Sequence, residues 1–313
     1  MIIVGGEALV DLIPTPSGDL GVHPGGGPFN TARWLGRLGV QVGFLGALSE
    51  DPLGQRLRDS LSDAGVALDP VVATKLPTTL AVPQLDDAGA ARYSFYTEAT
   101  STGDVRPEQV PALIPTALDA LHVGSFGLVL EPMASAIEVA VPLARSRGAL
   151  VMVDPNVRPT LIDDRPRYLR RLDALLGQTD VLKLSADDAA WLMPDQSPHA
   201  TARALGERGP RVVLLTEGAD GATVFSTGTA THLPAAPVAV IDTIGAGDAF
   251  SAGFLASWPG DRSGGSAAAT EAAAFAVRVA GLACTVQGAT PPADVLARLP
   301  DASPPALRSS PPA

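Results

Sequence analysis

Six runs of four largely apolar residues recur along the chain, and each is followed by glycine, serine, aspartate or threonine. Such runs are typical of strands that are buried on both faces of a sheet. Amphipathic stretches lie between them, such as the stripe of Leu53, Leu57 and Leu61 behind a helix cap at Asp51. The alternation predicts an α/β fold whose mostly parallel sheet is covered by helices on both faces. The six runs are 1–4, 42–45, 120–123, 150–153, 181–184 and 212–215.

One stretch departs from this alternation. Residues 78–85 and 91–97 have alternating β-type patterns and are separated by turn residues at 86–89, which predicts a hairpin. Residues 10–22 add one or two candidate strands. The hairpin is either an edge decoration or a lid over a site, and the sequence leaves both interpretations open.

Composition excludes several classes of protein. A chain of 313 residues with 46% hydrophobic residues can bury a large core, and a net charge of -11 has the wrong sign for binding nucleic acid. No apolar run reaches the ~18 residues of a membrane span, and the N-terminus lacks a signal peptide's basic region. The single cysteine, Cys284, forbids an intrachain disulfide. We therefore expect a cytoplasmic protein with neither a nucleic-acid partner nor a membrane partner.

Neither of the two lysines, Lys75 and Lys183, follows a glycine. The P-loop requires a Gly-Lys-Ser/Thr run, so this chain must use other chemistry if it handles ATP. The dinucleotide fingerprint, the Gly-x-Ser-x-Gly elbow and histidines at metal-ligand spacing are absent as well. Dinucleotide oxidoreductases, hydrolases and zinc proteins therefore lack support.

The most informative segment is 240–250, which predicts a strand, a glycine turn and a helix. The small residues Gly245, Ala246 and Gly247 let the backbone approach a ligand, and free N–H groups at the start of a helix attract an anion. Asp248 is then either a helix cap or a general base that accepts a proton from a hydroxyl attacking a phosphoryl group.

A second glycine-rich segment, 24–39, leads into a predicted helix that ends at Gly39. Exposed backbone at Gly25 and Gly26, together with the Asn30 amide, offers donors and acceptors to the vicinal hydroxyls of a polyol.

These two segments resemble the two motifs of the PfkB family of carbohydrate kinases: Gly-Gly-x-x-x-Asn ending at Asn30, and Asp-Thr-x-Gly-Ala-Gly-Asp at 242–248. The resemblance spans nearly the whole chain and is greatest to bacterial fructokinase-type members. It implies a three-layer α/β/α ribokinase-like fold with a small β lid from about 10–22 and 78–98. We expect one kinase domain over 1–300 and a flexible tail over 301–313.

The resemblance also implies roles for individual residues. Asp248 would be the base, and the amides of Gly245, Ala246 and Gly247 would stabilise the transferring phosphoryl group. The sugar would be held by Asp11, Gly25, Gly26, Asn30 and Arg158, the last in an Asp-Pro-Asn-x-Arg stretch like that of fructokinases and 2-keto-3-deoxygluconate kinases.

ATP and ions have expected sites too. The residues implied to bind ATP are Lys183, Ser185, Thr216, Gly218 and Gly221. Asp188 stands where the family usually has a glutamate that orders Mg²⁺ through water, and the shorter carboxylate can still anchor a hydrated Mg²⁺. Asp242, with the segment 284–289, would border a monovalent-cation site for K⁺.

The acceptor stays open. Gly27-Pro28-Phe29-Asn30 favours a fructokinase-like enzyme over a ribokinase, whereas a 2-keto-3-deoxygluconate kinase would use an arginine such as Arg158 for the carboxylate. Nucleosides, and a non-catalytic sugar-binding protein on the same scaffold, are further alternatives. Lids of this family often meet across a dimer, which implies a homodimer.

Overall fold

The structure is a computed structural model that describes residues 1–14, 19–85, 91–258 and 265–299. The predicted turn at 86–89 and the predicted tail at 301–313 lie outside the described residues. The single domain over 1–300 stays a prediction.

The strands, in chain order, are β1 (Ile2–Gly5), β2 (Leu9–Pro14), β3 (Leu20–Gly25), β4 (Val42–Ser49), β5 (Val71–Thr74), β6 (Leu80–Leu85), β7 (Ala91–Tyr96), β8 (Ala120–Gly124), β9 (Leu150–Asp154), β10 (Val181–Ser185), β11 (Val212–Thr216), β12 (Ala222–Ser226) and β13 (Thr229–Leu233). The α-helices are α1 (Gly27–Arg37), α2 (Pro52–Asp63), α3 (Val110–Leu113), α4 (Met133–Ser146), α5 (Arg165–Leu176), α6 (Ala186–Leu192), α7 (Pro198–Gly206), α8 (Ala246–Ser257) and α9 (Ser266–Ala283).

The larger sheet of the described residues has the order β13-β12-β11-β10-β9-β8-β1-β4-β5. The pairs from β5 through to β11 are parallel, whereas the β11–β12 and β12–β13 pairs at one edge are antiparallel. All six predicted apolar runs fall in strands of this sheet. The mostly parallel sheet is therefore confirmed, and its parallel strands end at a common edge.

Helices cover both faces of this sheet, as the alternation of strands and helices predicts. Alternate residues of β1 show the two layers: Val4 belongs to the core that includes Phe254 of α8, whereas Ile3 belongs to the core that includes Ile137 of α4 and Leu172 of α5. The three-layer α/β/α arrangement is confirmed.

The predicted strand at the beginning of segment 240–250 is wrong. Val240 and Ile241 are 62% and 67% exposed, and they belong to no strand. The segment runs beside the end of α9 instead of beside another strand, so the N–H groups of Ile241 and Asp242 both donate to the carbonyl oxygen of Cys284, at 2.8 and 3.3 Å.

A second, four-stranded sheet of order β3-β2-β6-β7 is called the small sheet below. The predicted hairpin is its antiparallel β6–β7 pair, and the candidate strands at 10–22 are its antiparallel β2–β3 pair. A short parallel pairing of β2 with β6 joins the two hairpins. Leu9, Ala81 and Phe126 form a small apolar core of their own against this sheet.

We find no helix in the described ranges that is long and apolar enough to cross a membrane.

Candidate active site

A cavity of about 270 Å³ opens where the carboxyl edge of the larger sheet meets the first turns of α1 and α8 and the strand β7 of the small sheet. Six of the predicted site residues line it: Asp11, Gly26, Asn30, Arg158, Gly245 and Asp248. The topology thus brings together residues from both ends of the chain, because parallel strands present their carboxyl ends, and the helices that follow them, at one edge.

Asp248 lies in the first turn of α8 and faces this cavity. Its Oδ2 accepts a hydrogen bond from Nδ2 of Asn30 at 2.9 Å. Burial raises the pKa of Asp248 to about 7, against the opposing effects of the Asn30 hydrogen bond and of Lys183. A carboxyl group whose pKa lies near neutrality is suited to accept a proton from a hydroxyl.

The turn before Asp248 has the backbone that its glycines predict. Gly245 has φ 78°, and a Cβ there would lie 2.7 Å from the Cβ of Ala289, so only glycine fits. The helix begins at Ala246, whose N–H donates to the carbonyl of Thr243 at 3.2 Å. One of the three predicted anion-binding amides is thus partly engaged in the turn, while Gly247 lies deeper in the first turn of the helix.

In the glycine-rich segment 24–39, Gly25 and Gly26 are required for different structural reasons. A Cβ on Gly25 would lie 2.1 Å from Oδ2 of Asp11, so Gly25 makes room for that carboxylate and is not among the described residues that line the cavity. Gly26 has φ 113° and packs against the carbonyl of Glu7. Burial raises the pKa of Asp11 to about 6.

Glu7, two residues after the end of β1, is a site residue that the sequence analysis did not predict. It is buried; its Oε1 accepts from the N–H of Gly27 at 2.9 Å and its Oε2 accepts from the N–H of Phe126 at 3.2 Å. Burial raises its pKa to about 7. The sequence signal for it is a charged residue two positions after a buried strand.

Arg158 is positioned by its own loop. One guanidinium nitrogen, Nη1, donates to Oδ1 and to the carbonyl of Asn156 at 2.7 and 3.0 Å, and to the carbonyl of Val157 at 3.2 Å. Asn156 has φ 38° and also lines the cavity. The loop therefore holds a positive charge and an amide beside the cavity.

Aromatic rings form one wall of the cavity and were also missed. Tyr93 and Phe95 of β7 stack with centroids 5.9 Å apart, and Phe95 meets Phe126 edge to face at 4.9 Å. Because two of these rings come from the small sheet, its position favours a cover over the site rather than an edge decoration.

Lys183 and Asp154 form a buried ion pair behind Asp248. The Nζ of Lys183 lies 2.9 Å from Oδ2 of Asp154, and both side chains are about 5% exposed. Asp154 is the first residue of the Asp-Pro-Asn-x-Arg stretch, and the sequence predicts no role for it. Lys183 was expected near the nucleotide, and the structure places its ammonium group beneath Gly247.

Ser185 and Asp188 cap α6 reciprocally. Ser185 Oγ accepts from the N–H of Asp188 at 3.0 Å, while Asp188 Oδ2 accepts from the N–H and hydroxyl of Ser185 at 2.8 and 2.7 Å. Asp188 Oδ1 accepts from the N–H of Val157 at 2.6 Å. A carboxylate has about four lone-pair sites, so one is left, which fits a water of a hydrated Mg²⁺. The described residues contain no cluster of three or more acidic or histidine side chains that could hold a metal directly.

The residues predicted to bind ATP at and after the end of β11 are not among the described residues that line this cavity. Thr216 ends β11 and donates from Oγ1 to the carbonyl of Leu184 at 3.2 Å. Gly218 has φ 61°. Gly221 has φ 103°, and its Cβ would lie 2.1 Å from the carbonyl oxygen of Leu233, so packing against β13 alone requires glycine there.

Asp242 forms hydrogen bonds with both its own loop and the loop near Gly288. Its Oδ1 accepts from the N–H of Ile244 at 3.0 Å, and its Oδ2 accepts from the N–H of Gly288 at 2.9 Å. The predicted cation-site residues 242 and 284–289 are therefore neighbours in space.

Comparisons with known proteins agree with this arrangement. Residues 1–296 match the model of the pfkB family carbohydrate kinases. A fructokinase of Rhizobium leguminosarum bv. trifolii is 34% identical over 261 residues, which cover 82% of this chain and 79% of the relative.

Two solved structures are similar throughout. Aminoimidazole riboside kinase from Salmonella enterica, complexed with aminoimidazole riboside and an ATP analog, superposes with a TM-score of 0.85 at 26% identity, covering 95% of this chain and 98% of that one. A double mutant of fructokinase from Vibrio cholerae O395, with fructose, ADP and potassium ion bound, gives 0.83 at 27% identity, covering 92% and 93%. With both motifs at one cavity and a family match over nearly its full length, the chain belongs to the pfkB family of carbohydrate kinases and has the ribokinase-like fold.

Proposed function

We propose that this protein is an ATP-dependent kinase that phosphorylates a hydroxyl group of fructose. The observation that carries the proposal is the pairing of Asp248 with Asn30 at 2.9 Å, beside the glycine turn that begins α8 and inside a sugar-sized cavity. The similarity to fructokinases over most of the chain supports the choice of fructose.

The reaction assigns one role to each group. The acceptor hydroxyl loses its proton to Asp248 as its oxygen bonds to the γ-phosphorus, and the bond from that phosphorus to the bridging oxygen of ADP breaks. The amides of Gly245, Ala246 and Gly247, at the positive end of α8, stabilise the charge on the transferring phosphoryl group. ADP carries away the electron pair of the broken bond.

The sugar is held so that its hydroxyl lies in line with the γ-phosphate. Asp11, Asn30 and Arg158 supply hydrogen bonds, the backbone at Gly26 shapes the floor, and the rings of Tyr93 and Phe95 cover the sugar's apolar face. Gly25 contributes by leaving room for the carboxylate of Asp11. The small sheet acts as a lid that excludes water, which limits hydrolysis of ATP.

ATP lies along the carboxyl edge of the sheet towards β11, with Lys183 and Ser185 on the phosphate side and Thr216, Gly218 and Gly221 beside the nucleoside. Mg²⁺, anchored through water at Asp188, would neutralise charge on the phosphates when bound. Asp242 and the loop near Gly288 would border a K⁺ ion. The potassium ion in the similar Vibrio cholerae fructokinase structure supports including K⁺ in the proposal.

Two further assignments go with the kinase. Leu20 and Tyr96, on the two edge strands of the small sheet, are 55% and 59% exposed, and these exposed apolar side chains support a homodimer through the lid. A cytoplasmic location rests on the single cysteine, Cys284, which is free in the structure.

A second candidate acceptor is a riboside. The aromatic wall of Tyr93, Phe95 and Phe126 can stack on a planar base, and the similar Salmonella enterica kinase binds aminoimidazole riboside.

The test is an ADP-release assay with magnesium and ATP over fructose, ribose, 2-keto-3-deoxygluconate, adenosine and aminoimidazole riboside. We expect the highest kcat/KM with fructose. A higher kcat/KM for 2-keto-3-deoxygluconate would assign Arg158 to its carboxylate, and one for a riboside would assign the aromatic wall to a base. Turnover of none of them, with fructose still binding by calorimetry, would mean a sugar-binding protein.

A further inference from the structure

The buried ion pair between Asp154 and Lys183 is unusual for its place in the sheet. Asp154 ends β9, and Lys183 follows Leu182, which is in register with Val153, on the neighbouring strand β10. Both residues are 4% exposed, so both charges have been removed from water. Replacing a buried pair of this kind by apolar residues is often neutral or stabilising, so stability by itself gives little reason for it.

The ammonium group lies directly beneath the anion-binding turn. A Cβ on Gly247 would be 3.2 Å from Nζ of Lys183, which leaves no side chain between the lysine and the backbone of that turn. Lys183 is also one of the groups that act electrostatically on Asp248. The same lysine therefore faces both parts of the proposed phosphoryl-transfer machinery.

The charged groups around the lysine come from several elements. They are Asp154 of β9, Asp188 of α6, Asp248 of α8 and His122 of β8. Burial would lower the pKa of Lys183, but the carboxylates, Asp154 foremost, raise it above its ordinary value. Burial lowers the pKa of His122 to about 3, so that ring is neutral and the lysine carries the positive charge.

We propose that Lys183 is a positioning residue for phosphoryl transfer. Its ammonium group, next to Gly247, supplies the positive charge that a lysine supplies in P-loop enzymes. Asp154 holds this ammonium group in place. The proposal rests on the kinase function proposed above. The lysine stabilises the charge that develops on the transferring phosphoryl group, and it offsets the carboxylate of Asp154 beside the base Asp248.

The experiment compares Lys183→Met, Asp154→Asn and the double variant with the wild type, with Lys75→Met as the control because Lys75 is an exposed lysine. For each protein we measure kcat, both KM values, the pH profile of kcat/KM and the melting temperature. We expect Lys183→Met to lower kcat about 10²–10³-fold, with smaller effects on both KM values. The acidic limb of its pH profile should move to higher pH, because an unpaired Asp154 carboxylate disfavours the charged form of Asp248. The other groups that act on Asp248 are Asn30 and Arg158.

The double variant separates the proposed role from a structural one. It buries no unpaired charge, so its melting temperature and acidic limb should return towards the wild type while its kcat stays low. A double variant with wild-type kcat would overturn the inference and leave the kinase function standing. A wild type that phosphorylates none of the acceptors would overturn both.

Discussion

Asn30 Nδ2 donates a hydrogen bond of 2.9 Å to Oδ2 of Asp248, across 218 positions of the chain. The hydroxyl of Thr31, next to Asn30, donates to the carbonyl of Asp248 at 3.3 Å. The first turn of α1 therefore orients both the side chain and the backbone of the proposed base.

Asp248→Asn should abolish nearly all phosphorylation while sugar binding and folding persist. The amide keeps the shape of the carboxylate but cannot accept the proton, so we expect kcat to fall about 10²–10⁴-fold. Coupled ADP release and fructose binding by calorimetry measure the two properties. Asp187→Asn, an exposed aspartate at the start of α6, should behave as the wild type. Full activity of Asp248→Asn would remove Asp248 from the base role.

Stability should fall as pH rises towards neutrality because of the buried carboxyls. Burial raises the pKa values of Glu7 and Asp248 to about 7 and that of Asp11 to about 6. Such a group binds more protons folded than unfolded, so its stabilisation is present below its unfolded pKa of about 4 and is lost as pH rises through its folded pKa.

Urea denaturation between about pH 4 and about pH 7.5 checks this for Asp248. The free energy of unfolding of Asp248→Asn should fall less steeply than that of the wild type over this range. Comparing the two proteins cancels the contribution of groups that both share, such as Asp51. Burial would raise the pKa of Asp51, but the hydrogen bonds that it accepts from Thr78 and Gly54 outweigh burial and lower it. Equal slopes would contradict a raised pKa at Asp248.

Glu7→Ala should destabilise the protein and weaken sugar binding. It leaves the N–H groups of Gly27 and Phe126 without their acceptor, at a cost of about 2–4 kcal/mol in the free energy of unfolding. Glu7→Gln keeps one carbonyl oxygen and should cost less. Urea denaturation and the KM for sugar measure both effects, with Glu50→Ala, an exposed glutamate after β4, as the control. Wild-type stability of Glu7→Ala would show that these bonds contribute little.

Gly245→Ala should reduce both stability and kcat. A φ of 78° costs an alanine about 1–2 kcal/mol, and its Cβ would collide with that of Ala289. The double variant Gly245→Ala/Ala289→Gly removes the collision with the Cβ of Ala289 but keeps the backbone cost and the close approach to its Cα at 3.0 Å, so we expect partial recovery of the melting temperature. Gly265→Ala is the matched control, because a Cβ there meets nothing within 4 Å. If Gly245→Ala had the same melting temperature and kcat as this control, the turn would not require glycine at position 245.

Much of the fold could be predicted because local rules and burial agree along the chain. The runs at 1–4, 150–153 and 212–215 are strands since both of their faces are covered, and the Asp51 cap begins α2 as its position indicates. The predicted strand at the beginning of segment 240–250 is wrong because an apolar run forms a strand only beside a partner strand, and the neighbour of this segment is the end of α9.

The sequence by itself determined the alternation of strands and helices, the two glycine motifs and Asp248, because these depend on residue type and spacing within one segment. Only the tertiary structure decided that Glu7 anchors the Gly27 loop, that Gly25 is needed by Asp11 and that Lys183 lies with Asp154 beneath Gly247. These relationships join residues far apart in the chain, and they depend on which strand ends the sheet brings together. The spacing of residues along the chain does not indicate how far apart they lie in space.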